Sequence, residues 1–193
     1  MEALGPEKMC HVVTRLRQAH GPRLLAILDG MTDFHEPTPD ERRHLRRCVD
    51  LAREALDDGD EPFGSLIVDG AGQVRFEDRN RVKHGDETRH PEFEIARWSA
   101  SNLTAEERAE STVYTSCEHC PMCSAAHAWM GLGRIVYAVS SAQLTQWRES
   151  WGAAPSPVAP LPITAIAPDQ VASGPVAEFA AELRDMHARS FGV

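Results

Sequence analysis

Long apolar runs are missing from this 193-residue chain. With them goes the stretch of ~20 residues that a membrane-spanning helix needs. The cluster Leu24-Leu25-Ala26-Ile27-Leu28 is too short even for the core of a signal peptide. Positive charge is also scarce: 20 Lys and Arg stand against 29 Asp and Glu, a formal net charge of −9. That balance argues against tight binding to DNA or RNA phosphates, which needs clustered Lys and Arg. Internal repeats and long low-complexity segments are absent as well. The five cysteines are an odd number, which fits a reducing cytoplasm better than a disulfide scaffold.

What is present suits one domain that can bury a full core. Residues 1–39 read as an N-terminal extension and residues 40–193 as the compact domain. Within the extension, Val12, Val13, Leu16 and Ala19 share a helical spacing, and Met31 is a candidate biological start. From Asp40 the periodicity sharpens. Leu45, Cys48, Val49, Ala52, Ala55 and Leu56 recur at helical spacing, with Arg42, Arg43, Arg46 and Arg47 on other faces, as a solvated surface. Asp57-Asp58-Gly59-Asp60 ends that helix. Ser65-Leu66-Ile67-Val68 reads as a strand, Asp69-Gly70-Ala71-Gly72 as a hairpin turn, and Val74 and Phe76 mark the return strand.

Further along, Thr112-Val113-Tyr114-Thr115 is a β-branched and aromatic strand. A helix follows from Pro121, a residue suited to a first helical turn, and stops at Gly131. The nearly all-apolar Arg134–Val139 run is expected of a strand buried on both faces. Strand, helix and strand over this length make a βαβ unit with parallel pairing. Leu144, Trp147 and Trp151 share a helical face, and residues 152–162, with four prolines, form a loop. Ile163-Thr164-Ala165-Ile166 reads as the last strand, and Val176, Phe179, Ala180, Leu183 and Met186 as a C-terminal helix. The whole is an α/β domain of three layers, a mixed five-stranded sheet with helices on both faces.

One constellation carries chemistry. Cys120 and Cys123 are three positions apart, His90 lies thirty residues before Cys120, and Glu92 lies two after His90. Zinc favours thiolate and imidazole ligands; a structural ion normally takes four from the protein, a catalytic one leaves a place for water. His90, Cys120 and Cys123 supply three. A glutamate placed this near a ligand suits proton transfer. Placing Cys120 and Cys123 in the first turn of the helix favours thiolates through its dipole and free N–H groups. Two other readings remain at this point. Cys117, Cys120, Cys123 and His90 would make a closed structural Cys₃His zinc site. Cys120-Pro121-Met122-Cys123 alone would suit a thioredoxin-like redox pair, which has no need of His90.

These residues resemble the zinc-dependent cytidine and nucleobase deaminases, whose mark is His-x-Glu followed by Pro-Cys-x-x-Cys. The resemblance runs from about Asp40 to Ser140. It includes Pro62-Phe63-Gly64 and Asn80, and Thr115-Ser116-Cys117-Glu118 before Cys120-Pro121-Met122-Cys123 looks most like the bacterial guanine deaminase branch. It implies a cytidine-deaminase-like fold, Zn²⁺ on His90, Cys120 and Cys123, and Glu92 as proton shuttle. It also implies Asn80 as a substrate contact, a homodimer, and hydrolytic release of ammonia from a nucleobase or related amino-heterocycle of guanine, cytosine or triazine type, as in base salvage in the cytoplasm. A nucleoside or a tRNA adenosine is the alternative substrate, the latter wanting a basic approach surface. A non-catalytic binding relative is the alternative outside enzymes. Two positions depart from the pattern: Pro91 replaces the small residue between ligand and glutamate, and His119 replaces the proline before the first cysteine. Both flank the expected pocket and bear on the substrate. Pro91 removes a backbone N–H that a substrate could use, and His119 adds an imidazole expected to titrate near neutral pH.

Overall fold

The computed structural model describes residues 34–193. The extension's expected helical face, its apolar cluster at 24–28, Cys10 and Met31 all lie outside the described residues. Helix α1 (Pro39–Asp57) starts in a capping box: Thr38 accepts from the Glu41 backbone, and the Glu41 side chain accepts from the Thr38 N–H. Its buried stripe includes Leu45, Cys48, Val49, Ala52 and Ala55, the positions at helical spacing. Its arginines pair with carboxylates: Arg42 with Glu178, Arg43 with Asp40, Arg46 with Glu182, and Arg47 with Glu54 and Glu77.

Strands β1 (Gly64–Val68) and β2 (Val74–Arg79) form the hairpin, with Gly72 at φ +79° in its turn. Gly64 opens β1 where α1 crosses it. A Cβ there would come within 2.5 Å of the Cys48 carbonyl oxygen, so only glycine admits this approach. After β2 come α2 (Pro91–Asn102) and a short α3 (Ala105–Glu110). Then β3 (Thr112–Cys117), α4 (Pro121–Met130) and β4 (Arg134–Val139) make the βαβ unit, with β3 and β4 parallel. Gly131 ends α4 at φ +64°, the left-handed cap expected of glycine. Helix α5 (Ser141–Ser150), a four-residue α6 (Ile163–Ile166), β5 (Ala172–Ser173) and α7 (Ala177–Ser190) complete the described chain.

The sheet order is β2-β1-β3-β4-β5, with β1 antiparallel to both neighbours and β5 parallel to β4. One face packs Leu66, Val68, Tyr114, Val136 and Ala138 against α1 and α7. The other packs Ile67 and Val113 against Ile95 and Ala96 of α2. This is the mixed five-stranded, three-layer arrangement expected from the sequence.

One element differs. Ile163-Thr164-Ala165-Ile166 is a helical turn, not the last strand, and the fifth strand is Ala172–Ser173. The reason is tertiary. The Glu118 carboxylate accepts a hydrogen bond from the Ile163 N–H at 3.0 Å, an anion at the first free N–H of a turn. Ile163 is then buried by a turn rather than by strand pairing. Within the described residues no helix is long and apolar enough to cross a membrane.

Candidate metal centre and proton-transfer site

His90 is the N-cap of α2 and Cys120 the N-cap of α4. Pro91 and Pro121 occupy the first helical positions, where a missing N–H costs nothing. Each helix therefore begins at a ligand candidate, and Cys123 follows within the first turn of α4. His90 Nδ1 lies 3.7 Å from Cys120 Sγ and 3.6 Å from Cys123 Sγ. All three donor atoms fall within 4.8 Å of one another. Tetrahedral zinc bonds of about 2.3 Å to sulfur and about 2.05 Å to nitrogen put such atoms about 3.6 Å apart. The donor set thus fits one zinc ion in chemistry and in spacing. Cys117 is outside this group. It is buried in the core beside Tyr114 and Val139, and burial pushes its thiol well up. The closed four-ligand site is therefore not what the geometry forms.

The charges around the donors agree. A hydrogen bond from Cys123 pulls the Cys120 thiol down to about 4, against its burial and with help from His90. Cys123 correspondingly holds its proton, because the two sulfurs share one negative charge. Burial opposes a charge on His90, but its hydrogen bond to Cys120 and the nearby Glu92 outweigh that and raise it to about 9. One thiolate is thus paired with one imidazolium, and binding a metal ion here would displace the protons held by His90 and Cys123.

Glu92, at the second position of α2, is 5 % exposed. Burial pushes its carboxyl up, opposed by His90. One oxygen, Oε1, accepts from Ser65 Oγ at 2.9 Å and from Thr115 Oγ1 at 3.0 Å. The other, Oε2, lies 3.7 Å from Cys123 Sγ. A buried acid with a raised pKa beside a metal-ligand cluster is the setting of a general acid–base group.

Asn80 follows β2 and is fully buried. Its Oδ1 accepts from the Val82 N–H at 3.0 Å, while Nδ2 has no partner. The first bond fixes which way the amide faces and leaves a buried donor free. Phe63 lies nearly parallel to the His90 ring, 6.4 Å away at 11°, and meets His187 of α7 edge-on at 5.0 Å. Trp147 adjoins His187 at 6.4 Å, whereas Trp151 packs on Phe191 at 5.9 Å.

His119 differs from expectation. It is 1 % exposed, lies 5.2 Å from His127, and burial pushes it well below the ordinary histidine range. It stays neutral at pH 7 and does not titrate there. Glu118 neither touches a ligand nor faces solvent; its two oxygens accept from the Ser141 and Ile163 N–H groups.

Sequence reasoning passed over Ser65, Thr115 as a polar group, and His187. Ser65 and Thr115 hide in apolar strand runs, and only their cross-strand register brings them together. His187 was within reach: it falls four residues after Leu183 on the apolar stripe of α7.

Comparison with known proteins agrees with the geometry. Residues 38–139, more than half of the chain, match the family described as the cytidine and deoxycytidylate deaminase zinc-binding region. A probable cytosine deaminase of Schizosaccharomyces pombe is 34 % identical over 58 % of this chain and 68 % of its own. The guanine deaminase of Bacillus subtilis is 35 % identical over 49 % of this chain and 61 % of its own. In fold, a solved guanine deaminase from Nitrosomonas europaea superposes with a TM-score of 0.58 at 17 % identity, covering 82 % of this chain and 87 % of the other. With His90, Cys120 and Cys123 able to form the zinc site, the chain belongs to the zinc-binding cytidine and deoxycytidylate deaminase family.

Proposed function

We propose that this protein is a hydrolase that removes an exocyclic amine, as ammonia, from a free nucleobase or a closely related amino-heterocycle. The observation that carries this reading is the placement of Glu92: one oxygen is anchored and the other is turned toward the zinc donors. Zinc bound by His90, Cys120 and Cys123 would lower the pKa of a water molecule towards ~7 and supply the nucleophile. Glu92 Oε2 is placed to take a proton from that water, give it to the ring nitrogen, and help protonate the departing amine. The C–N bond breaks, a C=O bond forms, and water plus amine becomes ketone-type base plus ammonia. Asn80 Nδ2, a buried donor without a partner, suits an acceptor on the ring. Phe63 offers a flat apolar wall beside His90, while Pro91 and His119 each adjoin a ligand in sequence.

Several features favour a small substrate over a polynucleotide. The net charge is −9, and the α1 arginines are committed to carboxylates. Resemblance to the guanine and cytosine deaminases supports a free base. The same reading makes the protein a cytoplasmic homodimer. Four unpaired cysteines among the described residues support a reducing compartment, and Trp129, 88 % exposed on α4, supports an interface there.

The test is ammonia release from guanine, isoguanine, cytosine, 5-substituted cytosines, ammeline, adenine and cytidine, on protein assayed for zinc. Glu92→Gln should keep zinc and lose at least ~100-fold in rate, the lower end of what general acid–base catalysis contributes. A Glu92→Gln enzyme of near-normal rate would remove Glu92 from the chemistry. Zinc-loaded protein that releases no ammonia from any of these compounds would overturn the substrate class.

A further inference from the structure

We propose that Ser65 and Thr115 are positioning residues that anchor Glu92 through Oε1, so that only Oε2 is presented to the metal donors. This inference rests on the aminohydrolase reading for its catalytic consequence and on geometry for its structural one. Ser65 and Thr115 stand directly opposite each other across the β1–β3 pairing, on the sheet face that carries α2. Both are fully buried. Their hydroxyls are 2.8 Å apart, and each reaches the same carboxylate oxygen, Oε1, at 2.9 Å and 3.0 Å. Thr115 Oγ1 also lies 2.8 Å from the Cys117 carbonyl oxygen, so its single proton is shared between that carbonyl and Oε1, whereas Ser65 has no backbone acceptor among the described residues competing for its own.

Glu92 needs such an anchor. It sits two residues from a ligand, on the first turn of a helix whose N-cap side chain makes no capping bond. A carboxylate has two equivalent oxygens and rotates freely about its last torsion. With no preference between them, it would spread its proton-transfer oxygen over several directions, and misplacement of about 1 Å costs rate heavily. Two hydroxyl donors on one oxygen remove that freedom. Burial makes the bonds more stringent, since an unmatched hydroxyl or carboxylate here has no water to turn to. A serine in the first half of an otherwise apolar buried strand, Gly64–Val68, is then explained by the acid above it rather than by the core.

The experiment compares Ser65→Ala, Thr115→Val and Thr115→Ser with the wild-type zinc enzyme, on the compound that releases ammonia. Thr115→Val keeps the shape and deletes the hydroxyl; Thr115→Ser keeps the hydroxyl and deletes a methyl. Expected are a fall in kcat of about 10- to 100-fold for Ser65→Ala and Thr115→Val, the range for a hydrogen bond to a charged group. KM should stay within about threefold, zinc should remain at one per chain, and Thr115→Ser should regain most of the rate. A merely structural role would lower Tm in Thr115→Val and leave kcat per folded, zinc-loaded enzyme unchanged, and that result overturns the proposal. Crystal structures of the same variants provide a readout independent of turnover. The Glu92 carboxylate should rotate when the hydroxyls are gone. If the wild type deaminates nothing, the aminohydrolase reading fails on that ground. The anchoring inference is then decided by the variant structures alone, and an unmoved Glu92 overturns it.

Discussion

Glu118 lies two residues before Cys120, yet its role is structural and its removal has a calculable cost. The side chain is 8 % exposed. Oε2 accepts from the Ser141 N–H at the start of α5, and Oε1 from the Ile163 N–H at the start of α6, both at 3.0 Å. One carboxylate thus holds two helix starts, twenty-three and forty-five residues away, against the turn between β3 and α4. Replacing it with alanine leaves both N–H groups without a partner. Each buried unsatisfied group costs about 1–3 kcal/mol. Ser141 is half-buried and can recruit water, so it belongs at the low end; Ile163 is fully buried and belongs at the high end. The sum is roughly 4 kcal/mol. For a domain of this size, 1 kcal/mol moves Tm by about 2–4 °C, so Glu118→Ala should melt about 8–16 °C lower. Glu118→Gln, the same shape with one acceptor replaced by a donor, should lose at least half as much, because an NH₂ then faces an N–H. Thermal unfolding of the zinc-loaded proteins measures both. A drop under 2 °C for Glu118→Ala would show that the two bonds do not hold the loop and α6 in place.

Asn80→Asp keeps the acceptor for the Val82 N–H and replaces the free NH₂ donor with a carboxyl oxygen, at the cost of an ionisable group at a buried position. Per folded, zinc-loaded enzyme it should lose at least about 10-fold in kcat/KM, and an unchanged kcat/KM would remove Asn80 from substrate recognition. His187 is pushed down to about 3 by its burial, with Arg148 adding to the effect. Below its unfolded pKa of ~6.5 the unfolded chain takes a proton that the folded chain refuses. Stability from this group is therefore full above ~6.5 and lost as pH falls towards 3, at up to about 1.4 kcal/mol per pH unit. His187→Leu should flatten the urea-denaturation profile between pH 6 and 5 by that slope; parallel profiles would refute the neutral buried imidazole.

How much of this was legible in the sequence follows the range of the interaction involved. The ligand spacing, the stop of α4 at Gly131 and the apolar stripe of α1 are local, and each survives in the fold. Helix α3 carried its own signal, Thr104 and Glu107 in a capping box, in a stretch with no apolar stripe. The last strand was misplaced because Ile163–Ile166 is apolar and β-branched, while the real β5 is two residues long with no pattern to show. What decides between them is a carboxylate forty-five residues upstream, which no window on the sequence contains. The same holds within the site. His90, Glu92, Cys120 and Cys123 announce themselves by spacing, but Ser65 and Thr115 meet only through strand register. His119 changes character for the same reason: histidine at the surface titrates near neutrality, and this one is sealed against His127. Residues proposed to touch the reacting atoms are written in short motifs; those proposed to aim them lie fifty positions apart and come together only when the sheet is formed. Variation at such aiming positions can alter rate with every motif residue intact.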